Sequence, residues 1–407
     1  MDHAPVCGKN GITYANACIA ESQGVQVAKK GPCAAAGPTA AAAGAPPATA
    51  AFLRPEQLDT AAVVGMPVMA KYASEGYSFV GRVKAVQRMA TPITKVQAAG
   101  PQAAAAAGVA GASPFAVRIT PSGDLYVGRL KNLLTGPLST PPARPAGPQV
   151  AAAAAANGDP QPVNSTQQHR KLLAGNIVGP DNRYEIDMHT YPYTAVGFVA
   201  SGCTGSMIGP RTVLTAGHCL WDTYTQSWLN KYDFYPNRHS GGYHCHGTGT
   251  ARRCYSPRTV RWEWASTLFV NAKNCGPGCI MNADIPLDVA VIRLKEVTTS
   301  FTGYFGLQTS CGAKQYSCRT EGYPSDKPNY GWRTWYTTGV VPFSGCAGWG
   351  SGSVARTTID AYPGQSGSPA WTTDLNVRGV LSCTGGGYTY FRGLTDGAIS
   401  WILKNRV

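Results

Sequence analysis

The sequence predicts a mostly β fold, with small N-terminal modules joined by linkers to one large antiparallel domain. From residue 176 onward, short runs of Val, Ile, Tyr, Phe and Thr alternate with Gly, Pro and Asn turns, a pattern typical of a barrel or sandwich of short strands. The long leucine-rich periodicity of a helical bundle is missing. The 48 Gly and 30 Pro residues cluster in blocks together with Ala, which indicates linkers. A length of 407 residues suits two to three domains.

The first 33 residues contain three cysteines in a spacing that suggests a small module. Cys7 is followed by a turn and by Thr13 and Tyr14, Asn16 lies two residues before Cys18, and Cys33 closes the segment. This spacing resembles the core of Kazal-type protease inhibitors. That family has six cysteines, and its inhibitory loop would here fall mostly before the first residue. We therefore expect a truncated module over 1–33 that acts as a spacer, with a Cys7–Cys33 bridge.

Two linkers flank a region of alternating apolar residues. Residues 34–51 and 135–171 are rich in Ala, Pro and Gly and cannot bury a core. Between them, over 52–134, four apolar patterns predict short strands: 63–69, 77–83, 115–119 and 125–130. The PSGD turn at 121–124 predicts a hairpin. A small β-barrel is the expectation, and both a peptide-binding role and a pro-segment role stay open.

Charge and cysteine content limit the partners and the compartment. The net charge of +14 is scattered, with no basic stripe interleaved with aromatic residues, which argues against a nucleic-acid partner. No apolar run is long enough to cross a membrane. Ten of the 13 cysteines lie from Cys203 onward, and this even number indicates disulfides and an oxidising compartment. We expect a secreted protein whose N-terminal end, with no apolar leader, is incomplete.

Three motifs after residue 200 contain chemically active side chains. Residues 203–219 end in TAGHC, which places His218 at a strand edge, with Cys203 and Cys219 at strand ends that a disulfide would join. Residues 287–294 place Asp288 at the head of an apolar strand. Residues 364–369, GQSGSP, place a serine in a tight glycine-flanked turn.

These side chains suit nucleophilic hydrolysis. A serine hydroxyl needs an imidazole base, and the imidazole needs a carboxylate that fixes its tautomer. Ser366 is thus the candidate nucleophile, His218 the general base and Asp288 the orienting acid, with Asp284 as the competitor for that last role. The backbone N–H groups of Gly364 and Ser366 would form the oxyanion hole. No cofactor or metal is required by this chemistry.

The order His, Asp, Ser resembles that of the trypsin-like serine proteases. Several segments further resemble the glutamyl-endopeptidase-like branch: 178–183, 191–193, 302–306, 322–324 and 360–369. The resemblance covers roughly 176–407 and implies a protease domain over 172–407. It implies two antiparallel six-stranded β-barrels of the chymotrypsin-like kind, with a site in the cleft between them. It also implies a C-terminal helix over 394–405, capped by Thr395 or Asp396.

The resemblance also identifies two departures. Gln365 stands where trypsin has an Asp that pairs with the new amino terminus, so residues 176–179 are not interpreted as an activation site. Asp360 stands where trypsin has its Arg/Lys-binding carboxylate, although the glutamyl branch also has an acid there. That branch binds a substrate carboxylate with a histidine, and residues 378–393 contain none. Either Arg378 or Arg392 could replace it, so Glu and Arg/Lys specificity both stay open.

The remaining predictions concern substrate binding and disulfides. The substrate-binding candidates are Asp360 and, on the strand expected to pair with substrate, Leu381, Ser382 and Gly385. Besides Cys203–Cys219, the local disulfide candidates are Cys245–Cys254, Cys275–Cys279, Cys311–Cys318 and Cys346–Cys383. Disulfides are favoured over a zinc site at 244–246 because no paired C-x-x-C spacing is present.

Together these features predict a monomeric, secreted serine endopeptidase that hydrolyses protein or peptide substrates through an acyl-enzyme. No nucleic-acid, membrane, metal or cofactor partner is expected. The alternative is a protease inhibitor or matrix-binding protein that acts through its N-terminal modules and carries a latent or non-catalytic protease-fold domain.

Overall fold

The structure is a computed structural model of the chain. It describes residues 6–9, 13–14, 26–31, 58–59, 66–83, 95–97, 115–130, 133, 175–186, 190–222, 225, 227–229, 231–239, 244–246, 253–255, 260–268, 279–281, 284–298, 302–312, 314–343 and 353–407. The chain divides into two compact units, Met1–Ala50 and Ala51–Val407. Within the described residues, neither helix has the length and apolar character needed to cross a bilayer.

The first unit contains a small antiparallel sheet. Its strands are β1 (Val6–Gly8), β2 (Thr13–Tyr14) and β3 (Val27–Lys30). Strand β1 lies in the centre, with β2 and β3 on either side. Cys7, on this central strand, is buried and disulfide-bonded. The predicted partner, Cys33, lies outside the described residues.

The second unit is built from strands and two described α-helices. In its N-terminal part these are β4 (Leu58–Asp59), α1 (Met66–Ser74), β5 (Ser78–Val83), β6 (Lys95–Gln97), β7 (Phe115–Ile119) and β8 (Asp124–Arg129). The next strands are β9 (Tyr184–Ile186), β10 (Val196–Val199), β11 (Cys203–Gly209), β12 (Thr212–Thr215), β13 (Trp221–Asp222), β14 (Ser227–Trp228), β15 (Phe234–Pro236), β16 (His244–His246), β17 (Arg253–Tyr255), β18 (Trp262–Leu268), β19 (Cys279–Met281) and β20 (Ala290–Leu294). The last elements are β21 (Gly306–Leu307), β22 (Lys314–Gly322), β23 (Thr334–Phe343), β24 (Val354–Thr357), β25 (Pro369–Trp371), β26 (Asn376–Gly385), β27 (Tyr388–Gly393) and α2 (Asp396–Lys404).

Two rings of six antiparallel strands confirm the predicted mostly β, chymotrypsin-like fold. In the first ring the order is β15-β10-β11-β12-β20-β18, and a backbone bridge between Val260 and Phe234 brings the start of β18 back to β15. In the second the order is β24-β27-β26-β25-β22-β23, and the Thr357 hydroxyl of β24 donates to Val340 O of β23. Buried apolar side chains of these strands form the hydrophobic core, such as Val291 of β20 in the first ring and Phe391 of β27 in the second.

The C-terminal helix α2 begins where the sequence predicts. Thr395 is its N-cap, and its hydroxyl oxygen accepts a hydrogen bond from Ala398 N at 3.3 Å. Trp401 and Ile402 are fully buried, so one face of the helix packs into the core of the unit. An apolar stripe of this kind is what stabilises a short helix, because its intrinsic propensity alone is marginal.

The N-terminal part of the second unit continues the sheet that forms the first six-stranded ring. Strand β7 pairs antiparallel with β18, and the order runs on through β8 and β5 to β4. Four described strands of the predicted 52–134 module, β4, β5, β7 and β8, therefore lie in the same sheet as strands of the 172–407 domain, while β6 pairs with β19 in a separate two-stranded sheet. The expected strand at 63–69 is wrong in part, since α1 begins at Met66 with Pro67 in its first turn, a position where proline favours a helix.

Candidate active site

His218 and Asp288 form a buried pair at one end of the first barrel. His218 lies in a short 3-10 turn after β12, and Asp288 follows the 3-10 turn Ile285–Leu287 before β20. His218 N donates to Asp288 Oδ1 at 2.8 Å, and His218 Nδ1 lies 2.9 Å from Asp288 Oδ2. Because a carboxylate oxygen accepts, this contact suits the tautomer that has its proton on Nδ1 and a lone pair on Nε2. This is the tautomer that a general base needs.

The competitor Asp284 occupies a different place. It lies at the start of the 3-10 turn, and its backbone oxygen accepts from Leu287 N at 2.9 Å. Both described hydrogen bonds from His218 to a carboxylate go to Asp288. The geometry thus favours Asp288 over Asp284 as the residue that orients the imidazole.

Ser366 sits in a tight turn held by the first barrel. Thr204 N donates to Ser366 O at 2.8 Å, and the Thr204 hydroxyl donates to Gly364 O at 2.9 Å. Gly364 and Gly367 have φ values of +100° and +87°, which favour glycine. A Cβ at Gly367 would lie 2.0 Å from Thr204 O. The approach of the first barrel therefore requires glycine at Gly367, whereas at Gly364 a Cβ would lie 2.3 Å from Tyr323 O.

The hydroxyl of Ser366 lies beside the pair but does not yet donate to it. Ser366 Oγ donates to Ser382 O at 3.4 Å, and His218 Nε2 is buried with no hydrogen-bond partner among the described residues. Such loose contacts are common before substrate binds.

The turn also directs two N–H groups outward. Within the described residues, neither Gly364 N nor Ser366 N donates a hydrogen bond, whereas Gln365 N, Gly367 N and Ser368 N all donate to backbone carbonyls. Two unpaired donors that flank a serine hydroxyl suit the binding of a developing oxyanion.

Gln365 is held by an arginine that the sequence reasoning missed. Its Oε1 accepts from Arg183 Nη1 at 3.1 Å and from Tyr362 N at 2.9 Å. Arg183 is buried and also forms ion pairs with Asp181 and Asp326. An internal guanidinium thus supports the residue before Ser366, in the place where trypsin uses a new amino terminus. The only signal in the sequence was the pair of charges at 181 and 183.

Asp360 is placed as a structural carboxylate. It is fully buried, Oδ1 accepts from Val178 N at 2.8 Å, and Oδ2 accepts from Asn182 N at 2.9 Å. Burial raises the pKa of this carboxyl, and the two backbone donors partly oppose that shift. Both oxygens hold the segment that precedes β9. These contacts give no support to the predicted role of Asp360 in substrate binding, which stays a prediction.

The three candidates on β26 have different roles. Leu381 pairs with the serine turn, since Gly367 N donates to Leu381 O and Leu381 N donates to Ser368 O, both at 2.8 Å. The Ser382 hydroxyl donates to Asp288 Oδ2, so it supports the catalytic carboxylate. Gly385 lies at the end of β26, in the hairpin with β27. The sequence placed Ser382 near the substrate but gave no sign of its contact with Asp288.

Neither arginine proposed to replace the missing histidine lies free in the described structure. Arg378 Nη1 donates to Thr309 O at 2.9 Å. Arg392 is fully buried, and its Nε donates to Pro286 O at 2.8 Å, two residues before Asp288. Burial lowers the pKa of Arg392 to about 9, and the Asp288 carboxylate opposes that shift. Both guanidiniums donate to backbone carbonyls, and the one of Arg392 does so next to Asp288.

The disulfides are in part as predicted. Cys203 and Cys219 are bonded, with a Cα–Cα distance of 6.0 Å, and join β11 to the His218 turn. Cys318 and Cys383 are buried free thiols, so the predicted Cys311–Cys318 and Cys346–Cys383 bridges are wrong. Cys318 and Cys383 lie in two different apolar clusters of the core. Cys311 is bonded to another cysteine.

Two further disulfide predictions remain open. Cys245 and Cys254 lie directly opposite each other in the β16–β17 pair, which is compatible with the predicted bridge. Cys275, proposed as the partner of Cys279, lies outside the described residues.

Two curated relatives share part of this sequence. A glutamyl endopeptidase from Bacillus licheniformis is 29% identical over 201 residues, which cover 48% of this chain and 54% of the relative. An extracellular metalloprotease from Bacillus subtilis is 27% identical over 241 residues, which cover 54% of this chain and 65% of the relative. The chain thus spans between half and two thirds of the length of these relatives.

Among solved structures, a Glu endopeptidase in complex with MPD is 22% identical, with a TM-score of 0.44, and the match covers 56% of this chain and 97% of that one. The protease Anisep from Arthrobacter nicotinovorans is 17% identical, with a TM-score of 0.35, and the match covers 52% and 95%.

Family profiles cover both ends of the chain. Residues 1–33 match the Kazal-type serine protease inhibitor domain, and residues 180–394 match trypsin. The second match includes His218, Asp288 and Ser366. Because it spans more than half of the 407 residues, the chain belongs to the trypsin family.

Proposed function

We propose that this protein is a secreted endopeptidase that hydrolyses peptide bonds through an acyl-enzyme on Ser366. The observation that carries the proposal is the pair of contacts between His218 and Asp288, together with a buried His218 Nε2 that has no hydrogen-bond partner among the described residues. The disulfide between Cys203 and Cys219 supports an extracellular setting. The Bacillus subtilis relative is itself described as extracellular.

The steps follow from these positions. His218 Nε2 takes the proton of Ser366 as its hydroxyl oxygen attacks the substrate carbonyl carbon. Gly364 N and Ser366 N stabilise the negative charge that develops on the carbonyl oxygen. The imidazolium then gives the proton to the leaving amine, and a water molecule activated by His218 hydrolyses the ester. Asp288 orients the ring and stabilises its positive charge, while Ser382 holds Asp288.

The contacts of Asp360 bear on which side chain the protease would prefer before the cleaved bond. The carboxylate of Asp360 is occupied by Val178 N and Asn182 N, so we propose that it does not read a basic side chain. The Bacillus licheniformis relative is named for cleavage at glutamate. Cleavage of a mixed peptide library, with the residue before each cut identified by mass spectrometry, would assign the preference.

The test uses the full chain and a fluorophosphonate probe, which reacts with an activated serine. We expect the parent to be labelled, and Ser366→Ala to be unlabelled with a loss of about 10⁶-fold in kcat. Asp288→Asn should lose about 10⁴-fold, because the amide favours the wrong tautomer of His218. Ser368→Ala is the matched control, since it removes a second hydroxyl from the same turn, and it should still be labelled. Labelling of Ser366→Ala, or none of the parent, would disprove the proposed role.

A further inference from the structure

Two strands from distant parts of the chain come together next to the His218–Asp288 pair. One is β19, which ends shortly before the turn that precedes Asp288. The other is β26, which carries Ser382. Ile280 of β19 packs with Cys383 of β26 in one small apolar cluster. We use the term peptide groove for the place along β26 beside this cluster, because a strand edge can pair with an extended peptide.

A third strand occupies this place. Strand β6 pairs parallel with β19, with Lys95 opposite Cys279, Val96 opposite Ile280 and Gln97 opposite Met281. Cα atoms of β6 also lie within 8 Å of Cα atoms of β26. The backbone of Lys95–Gln97 therefore lies close to both β19 and β26.

The segment that contains β6 is tethered at both ends. It connects β5, which ends at Val83, with β7, which begins at Phe115. Both strands belong to the sheet that also forms the first ring. Strand β7 is fixed to β18 by a four-residue antiparallel register. Within that register, the buried Arg118 of β7 donates to Asn405 Oδ1 at 2.7 Å.

We propose that residues Lys95–Gln97 occupy the peptide groove of this protease and act as a tethered competitor of its substrates. The proposal rests on the proposed function, because it assigns β26 as the strand that binds substrate. A segment held at both ends has an effective concentration in the millimolar range or above, so weak contacts are enough for it to compete. The substrate class that it excludes is an extended peptide, which needs the positions that precede the cleaved bond.

The test separates the groove from the serine. The variant K95G/V96G/Q97G weakens β6, because glycine disfavours a strand. The matched control Q102G/A103G/A104G puts three glycines in the same connection, outside the described residues. For each protein, KM and kcat are measured with a peptide that has four residues before the cleaved bond. The rate of labelling by a small fluorophosphonate is measured in parallel.

We expect KM to fall in K95G/V96G/Q97G, with kcat and the labelling rate unchanged. If the groove is free only one tenth of the time in the parent, the fall is about tenfold. The control should keep the parental KM. Equal KM values in all three proteins, or an equal fall in the control, would overturn the proposal. Absence of labelling in every protein would instead overturn the proposed function, and this inference with it.

A second measurement needs no variant, which covers the case that the triple variant does not fold. A peptide boronate with four residues bonds to Ser366 and fills the groove of the unmodified chain. Deuterium uptake over residues 91–100 should rise on binding if β6 is displaced. Unchanged uptake with the boronate bound would overturn the proposal.

Discussion

Arg183 connects the chain before the first barrel to the serine turn. Its guanidinium contacts Gln365 and the carboxylates of Asp181 and Asp326. Lys327 Nζ also donates to Asp181 at 2.7 Å. Burial alone would raise the pKa of Asp181, but the hydrogen bonds from Arg183 and Lys327 outweigh it and hold that pKa well below the ordinary value. The ionised carboxylate is thus favoured in the folded state.

The consequence is an acid-sensitive contribution to stability. A carboxyl whose pKa is lowered on folding stabilises the protein above its unfolded pKa, and this contribution is lost as the pH falls toward the folded value. We expect Asp181→Asn to lower the free energy of unfolding by about 2 kcal/mol at pH 6, and by progressively less below the ordinary value of 3.8. Denaturant midpoints of parent and variant at pH 6, 4 and 3 test this. A difference that stays constant across that range would refute it.

Local motifs explain why some site residues could be predicted and others could not. Ser366 and His218 lie in short segments whose glycines and neighbouring cysteine carry a recognisable pattern. Arg183 and Ser382 have no such pattern, because each acts through a partner far along the chain, 182 residues away for Gln365 and 94 for Asp288. The sequence placed Asp360 six residues before the serine, but its hydrogen-bond partners depend on how the entry segment folds over it.

At the scale of the element, strand β7 is joined to β18 by more than backbone hydrogen bonds. Arg118 is 1% exposed, forms an ion pair with Glu75, and lies within 5 Å of the ring centroids of Tyr72, Tyr77 and Trp264. A buried cation needs such compensation, since its desolvation is costly. Tyr72 belongs to α1, Glu75 and Tyr77 to the connection between α1 and β5, and Trp264 to β18.

Replacement of this arginine should loosen the attachment of β7. We expect Arg118→Met to lower the free energy of unfolding by about 2–3 kcal/mol, because Asn405 loses a buried donor and three rings lose their cation. Arg129→Met, on the exposed face of neighbouring β8, is the control and should change stability by less than about 0.5 kcal/mol. Urea unfolding monitored by tryptophan fluorescence measures both. Equal effects of the two substitutions would show that Arg118 has no special role.

The β7–β18 pairing could not be predicted from sequence. The alternating residues at 115–119 and 125–130 correctly indicated strands, and the turn between them was recognised. The partner strand β18 is more than 140 residues further along the chain. An alternating pattern indicates that a segment is a strand, but it does not indicate which strand it pairs with. The prediction therefore gave an isolated small barrel where the structure has a shared sheet.

At the scale of the whole molecule, residues 58–133 and 175–407 are held together without a covalent cross-link other than the chain itself. No cysteine lies between Cys33 and Cys203. Attachment depends on β7, on Arg118, and on Lys404 Nζ, which donates to Leu133 O. The Pro/Ala-rich linker 135–171 that joins the two parts ends in a dibasic pair, Arg170-Lys171.

Cleavage within that linker should therefore leave a stable two-fragment complex. After limited proteolysis of the full chain, we expect the two fragments to elute together from a gel-filtration column and to separate in denaturant without reductant. The uncleaved chain in the same denaturant is the control. Separate elution under native conditions would show that β7 is held only by its covalent connection.

The internal support of Gln365 by Arg183 has a consequence for the order of events during synthesis. A serine turn that is completed by a side chain needs no later cut, so competence would arrive with folding itself. A segment that inhibits the proposed protease would then have to be synthesised before the second barrel is complete. Residues 58–133 leave the ribosome ahead of the barrels, and a restraint encoded there would always be made first.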